Sequence, residues 1–397
     1  MVKHYKFIIL FLLLYFINIS CTEQYVLQSN NYDEALVVEA TITNEFKHQE
    51  IKISRTFRLE ENGPKLEVGA DVFITDNNDN KYQFEENNGK YISTTEFKAV
   101  QGNVYRLTIK TGDGRTYESS TETLTTANEI QSIIPTVQTK NNEKGVSIIV
   151  NSFDPDNTSK YYRYEYEETY KIIAPSWNPF KAITIPKTPH DSIDVVLRDN
   201  SEIKTCYSTI VSNDIIATTT VGFSADQVHF PVRFISNNNP IIAHRYSILV
   251  RQYIQNLAGY TFYKTLKDLS GSESILSQNQ PGFFYGNLKS VDNPNEKVIG
   301  FFEVASVSSK RVFFNYSDLF PNEAEPPYFV DCESRKFKFC FIAADPECRG
   351  AILLSLISSN DLQYLSQENN LYYYMALPPC VDCTKISSNI KPSFWID

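Results

Sequence analysis

From Glu34 onward, apolar and polar positions alternate with a period of two. Leu36, Val38, Ala40 and Ile42 interleave with mostly polar neighbours, and Ile51, Ile53, Phe57 and Leu59 repeat the pattern, as half-buried strands require. Val72 and Ile74 come next, followed by a turn at Asp76-Asn77-Asn78-Asp79-Asn80. Tyr82 and Phe84 then precede a second turn at Asn87-Asn88-Gly89, and Tyr105, Leu107 and Ile109 run into Gly112-Asp113-Gly114 and Tyr117. Short alternating runs punctuated every 8–12 residues or so predict a β-sandwich. Residues 34–127 are therefore expected to form an immunoglobulin-like or fibronectin-like domain.

A polar connector, Thr121 to Glu129, leads to further strands at Val146, Ile148 and Val150. Beyond a loop at Asp154-Pro155-Asp156-Asn157, alternation places Tyr162, Tyr164 and Tyr166 on one strand face and Arg163, Glu165 and Glu167 on the other. Tyrosines so spaced are either a stacking platform for a sugar or aromatic ligand, or core packing with hydroxyls at the rim. Pro175 to Pro189 reads as an excursion from the sheet. One segment has helical period: Asn256 as cap, then Phe262, Leu266 and Leu269 before Gly271. Strands return at Val298–Val304 and Arg311–Phe314. Residues 128–397 are expected to form a larger β-rich domain with one inserted helix, so the fold class is mainly β. The aromatic set Trp177, Phe180, Phe283, Phe284 and Tyr285 is a candidate ligand or partner surface, with burial in the core as the alternative.

The N-terminus departs from the strand pattern. Lys3, His4 and Lys6 precede an unbroken apolar run of 11 residues, Phe7 to Ile17, which closes on Asn18-Ile19-Ser20 before Cys21. A bilayer-spanning helix needs about 20 apolar residues, so residues 1–20 are predicted to be a signal peptide. The small residue followed by cysteine resembles the lipobox of bacterial lipoproteins, which implies acylation of Cys21; ordinary cleavage leaving a free thiol is the alternative. Each buried CH₂ of an acyl chain contributes about 0.8 kcal/mol, so several chains would anchor the protein stably. Residues 21–33, polar throughout most of their length, would be the tether. The signal holds Lys3 and Lys6 and no acid, so its removal takes the formal charge from −10 to −12. An acidic body is repelled by anionic headgroups and should stand off the membrane.

Composition narrows the chemistry. Only 14 of 397 residues are Gly, leaving little for Gly-rich phosphate loops, and the acidic balance argues against a nucleic-acid partner. His48, His190, His229 and His244 have no metal-ligand spacing, no Gly-x-Ser-x-Gly elbow occurs, and the loop Asp76 to Asp79 lacks the calcium pattern. The expectation is a protein without metal, cofactor or catalytic residues. Beyond Cys21 lie six cysteines, Cys206, Cys332, Cys340, Cys348, Cys380 and Cys383. In a reducing compartment the Cys380-x-x-Cys383 pair with upstream thiols would suggest zinc, and a redox role is a third option. Export favours disulfides, of about 2–4 kcal/mol each. Six cysteines permit 15 pairings, so the connectivity stays open. Five of the six fall between 332 and 383, which predicts a stapled C-terminal lobe.

Two resemblances complete the reading. The segment from Gly69-Ala70-Asp71-Val72-Phe73-Ile74 to Gly102-Asn103-Val104-Tyr105-Arg106-Leu107-Thr108-Ile109 resembles the carboxypeptidase-regulatory-like sandwich of bacterial surface proteins, which implies a structural spacer or docking module. Ser20-Cys21-Thr22-Glu23, Val37 to Thr43, Cys206-Tyr207, Tyr246 to Val250, Gly286-Asn287-Leu288, Val298 to Phe302, Cys380-Val381-Asp382-Cys383-Thr384 and Lys391 to Trp395 together resemble the Bacteroidota outer-membrane lipoprotein family catalogued as domain of unknown function 4249. Ser387-Ser388-Asn389 stand where the family usually carries glycines. The resemblance implies a non-enzymatic, surface-facing lipoprotein of the outer membrane that partners a TonB-dependent receptor in nutrient capture or import. The rival implication is a structural or assembly factor of the outer membrane without a small-molecule ligand.

Overall fold

The computed structural model describes residues 34–57, 61, 63–199, 203–270 and 285–397. The signal peptide, the tether with Cys21, Leu59, and Phe283 and Phe284 lie outside them. The chain is mainly β, with several sheets, as the alternation predicts. Among the described residues no helix is long and apolar enough to cross a membrane.

The N-terminal strands are β1 (Leu36–Thr43), β2 (Glu50–Arg55), β3 (Lys65–Leu66), β4 (Asp71–Asp76), β5 (Lys81–Asn87), β6 (Lys90–Ser93), β7 (Val104–Lys110), β8 (Thr116–Ser119) and β9 (Glu122–Thr123). In β1 the inward residues Leu36, Val38, Ala40 and Ile42 are all buried, and they pack with Ile51, Ile53, Val72, Ile74, Tyr105, Leu107 and Ile109. Turns follow the sequence signals: Asp79 and Asn88 take positive φ, which Asn and Asp tolerate better than most residues.

The second part begins with β10 (Ile130–Lys140), β11 (Glu143–Asp154) and β12 (Tyr161–Ile173). The hairpin β13 (Phe180–Ile185) and β14 (Ser192–Leu197) overlaps the excursion expected at Pro175 to Pro189 and extends beyond it. β15 (Thr205–Val211), β16 (Ile216–Thr219), β17 (Asp226–Ser236) and β18 (Arg245–Gln255) follow, then helix α1 (Leu257–Ser270), β19 (Leu288–Ser290) and the 18-residue strand β20 (Val298–Asn315). The Asn256 side chain accepts the Gly259 N–H at 2.7 Å, the cap the sequence predicts. The sheet β10-β11-β17 covers the tyrosine face of β12, so Tyr162, Tyr164 and Tyr166 are buried in the second core. Two of the hydroxyls are bonded inside: Tyr162 donates to Asp226 at 2.7 Å and Tyr164 to Gln252 at 3.1 Å. Packing, rather than a ligand platform, is the role of this face.

The two parts share strands. β20 pairs in parallel with β1 through Leu36↔Val298 to Thr43↔Ala305, then antiparallel with β18 through Ile254↔Ser306 to Arg245↔Asn315. One ladder therefore runs β15-β12-β18-β20-β1-β2-β6-β5-β4-β7-β8-β19. The boundary expected at residue 127 is crossed by the returning chain, since residues 287–305 complete the first sandwich. A single strand long enough to serve two partners in succession accounts for this.

Three segments of the family pattern meet at that closure. Asn287 acts as a ladder residue through its side chain, accepting the Phe302 N–H at 2.7 Å and donating to the Phe302 carbonyl at 2.9 Å. A Cβ added at Gly286 would stand 1.5 Å from the Gly300 carbonyl oxygen, and one added at Gly300 would stand 2.3 Å from that of Val38. Both obstacles are backbone and cannot rotate away. Gly286→Ala is expected to destabilise the chain by about 2–3 kcal/mol, at the upper end of overpacking costs, as read by urea unfolding. A cost near zero would show that the closure is not tight.

The C-terminal part holds a short helix α2 (Tyr316–Leu319), β21 (Arg335–Lys338), α3 (Gly350–Ser358), β22 (Gln363–Glu368), β23 (Tyr372–Ala376) and α4 (Pro378–Val381). The expectation of one inserted helix thus understates the helical content. α3 is the longest addition; its run Ala351-Ile352-Leu353-Leu354 has no polar phase from which a period could be read. Disulfides join Cys206 to Cys383, Cys332 to Cys380 and Cys340 to Cys348. The C-x-x-C pair is not bonded to itself: Cys380 is tied within the lobe and Cys383 to β15 of the large sheet. Cys340 and Cys348 also lie with Asp345 in a metal-like cluster, but their thiols are used by the bridge and Asp345 pairs with Lys338 at 2.6 Å.

Candidate functional site

The end of β12, the turn into β18 and the end of β20 leave a two-lobed cleft at one end of the large sheet. Lys171, Ile173, Ala243, His244 and Glu325 wall both lobes. The first lobe, about 310 Å³, is completed by polar groups including Arg245, Asn315, Ser317 and Asp397. The second, about 250 Å³, is completed by Pro175, Pro240, Pro326, Tyr328 and Phe329. The larger lobe alone reaches the lower end of the range for small-molecule sites, roughly 300–1,000 Å³.

The sequence builds this place from local rules. Ala174 and Pro175 end β12 as Pro175 removes a ladder donor. Asn239 accepts the Ile241 N–H at 3.1 Å and caps a 3₁₀ turn, Pro240–Ile242, that delivers His244 and Arg245 to the rim. Asn315, at the end of β20, bonds Asp318 and turns the chain into α2. Tyr328 is fixed by its hydroxyl, which donates to the Pro379 carbonyl at 3.0 Å, and Phe329 stacks on Tyr170 at 5.9 Å.

The electrostatics are mixed. Burial pushes the His244 imidazole below its ordinary value, against the pull of Glu325 at 3.9 Å and with the help of Lys171. Asp397 accepts from Lys391 at 2.5 Å, Lys171 at 3.3 Å and the Trp395 indole at 3.3 Å. Lys391 and then Lys171 hold its carboxyl down to about 2. Arg245 donates to the Ile396 carbonyl and, at 3.2 Å, to Asn315, and lies over the Phe313 ring at 5.1 Å. Two cations, two carboxylates, an imidazole and an apolar trough thus line the cleft.

A covalent clamp holds the segment that closes the cleft. Cys383 is bonded to Cys206, Tyr207 donates its N–H to the Ser388 carbonyl at 2.8 Å, and Trp395 packs edge-on against Tyr207 and Phe313. The family-pattern segments Cys206-Tyr207, Cys380 to Thr384 and Lys391 to Trp395 therefore converge here.

The aromatic set singled out in the sequence is divided. Trp177 is half-buried on the second core with Lys204 at 5.3 Å from its ring, and Phe180 opens the β13 hairpin, 42% exposed. Tyr285, 68% exposed, precedes Gly286 at the closure of the first sandwich. Trp177 and Phe180 share one connection; Tyr285 belongs to another part of the fold. The cleft residues Lys171, His244, Arg245, Glu325 and Asp397 carry no sequence motif, and only the Pro326-Pro327-Tyr328-Phe329 run hints at a rigid apolar wall.

The family model described as Domain of unknown function (DUF4249) matches residues 22–311. The match includes Lys171, His244 and Arg245, while Asn315, Tyr328, Phe329 and Asp397 fall beyond it. A comparison with curated proteins gave no match. With nearly three-quarters of its length matched, the chain belongs to the DUF4249 family.

Proposed function

We propose that the mature chain is a non-enzymatic, lipid-anchored outer-membrane protein that assists a TonB-dependent receptor in capturing or admitting a nutrient. The observation that carries this reading is Ser20-Cys21 at the close of an 11-residue apolar run, a length suited to export and too short to span a bilayer. Family membership supports the partner, and three disulfides suit an oxidising envelope. The cleft between rigid β walls supports this reading over a purely structural factor, which has no need of one.

Labelling cells with radioactive palmitate tests the anchor. The wild-type protein is expected to carry label and to sediment with outer membrane, and Cys21→Ala to carry none and appear in the soluble fraction. An unlabelled wild-type protein would overturn the reading.

A further inference from the structure

The geometry points to a binding site for an amphipathic carboxylate: an organic acid whose anionic head takes the place of the Asp397 side chain beside Lys171 and Arg245, and whose apolar body lies on Tyr328 and Phe329. The inference rests on the cleft being the ligand-binding element of the proposed accessory protein.

Four observations lead there. First, the lobes differ in kind while sharing a wall, so one ligand can span a charged end and an apolar end. Second, among the described residues no carboxylate pairs with Arg245, although its guanidinium lines the charged lobe. A guanidinium has five N–H donors in a fork that matches a carboxylate, and only part of that capacity is used. Third, the lobe already holds an anion of the proposed kind. Lys171, Lys391 and the Trp395 indole converge on the Asp397 carboxylate, which is itself 55% exposed. An exposed ion pair contributes little to stability, so an outside carboxylate can exchange with it at small cost. Fourth, the opposing acid is weak in effect: Glu325 is 64% exposed, and water and salt screen its charge. That residual repulsion favours a monoanion over a doubly charged phosphate. The apolar lobe is closed by three prolines and two aromatic rings, rigid surfaces that lose little entropy on binding.

Calorimetric titration of the full chain in detergent tests this, with 3-phenylpropionate, 3-phenylpropanamide and inorganic phosphate as probes. The carboxylate is expected to bind saturably, and the amide and phosphate at least tenfold more weakly. Asp397→Asn, which removes the internal anion, is expected to tighten 3-phenylpropionate binding at least threefold. Arg245→Leu is expected to weaken it at least tenfold at an unchanged unfolding midpoint; Lys171→Met makes the same test should Arg245→Leu not fold. No saturable binding to either the wild type or Asp397→Asn, equal binding of amide and acid, phosphate binding as tight as the organic acid, or an Asp397→Asn variant that binds no tighter would each overturn the assignment. None of these results bears on Cys21 acylation or on recovery of a receptor, so failure here is distinguishable from failure of the proposed function.

Discussion

Replacing Cys206 and Cys383 together by serine is expected to lower stability by about 5 kcal/mol, the largest effect among the three disulfides of the described residues. The bridge closes a loop with a sequence separation of 177, whereas Cys340–Cys348 closes one of 8. Loop-closure entropy grows with the logarithm of length, giving about 5 kcal/mol for the long loop and about 2.5 kcal/mol for the short one. The long bridge also holds the segment on which Ser388, Trp395 and Asp397 depend, so its loss should open the cleft as well. Urea unfolding of the two double-serine variants, followed by tryptophan fluorescence, gives the ranking. Equal losses would mean that the C-terminal segment is held mainly by its packing.

Arg163→Met is expected to cost about 3–5 kcal/mol, the usual penalty for removing one partner of a buried ion pair. Arg163 is 8% exposed and Glu303 4%, with Nη2 donating to Oε2 at 3.0 Å. The guanidinium also bonds Glu165 and lies between the rings of Tyr253 at 4.3 Å and Tyr263 at 4.7 Å. Gln255 donates to the other Glu303 oxygen at 2.8 Å. One side chain thus joins β12, β18, β20 and α1 where the two cores meet. Without it the Glu303 carboxylate stays buried among groups unable to neutralise it, and its desolvation cost is no longer offset. The double variant Arg163→Met/Glu303→Leu should recover most of the loss, because an apolar pair of similar volume carries no buried charge. A double-mutant cycle by chemical unfolding reads the coupling, and additive costs would contradict it.

Period-two alternation made the strands of the first sandwich legible, since one face of each is buried and the other is wet. The inserted helix was legible through Asn256 and the spacing of Phe262, Leu266 and Leu269. β20 was legible only in pieces, Val298–Val304 and Arg311–Phe314, because the polar stretch Ser306 to Lys310 interrupts its apolar pattern. That interruption is where it changes partner from β1 to β18, with Ser306 and Ser308 bonding the connector at Thr125 and Ile130. The shared ladder was therefore invisible in local periodicity. Alternation set Arg163 opposite the tyrosines without showing that Glu303 and α1 bury it, because a residue's second neighbour layer is set by distant chain. The cleft was unreadable for the same reason: Lys171, Arg245, Tyr328 and Asp397 become neighbours only once the sheet and the clamp are formed.

Affinity purification from outer membrane in mild detergent tests the central claim most directly. A tagged wild-type chain is expected to bring down a TonB-dependent receptor barrel in near-stoichiometric amount, and the Cys21→Ala form to bring down little or none. Recovery of the acylated protein with no barrel would contradict the account.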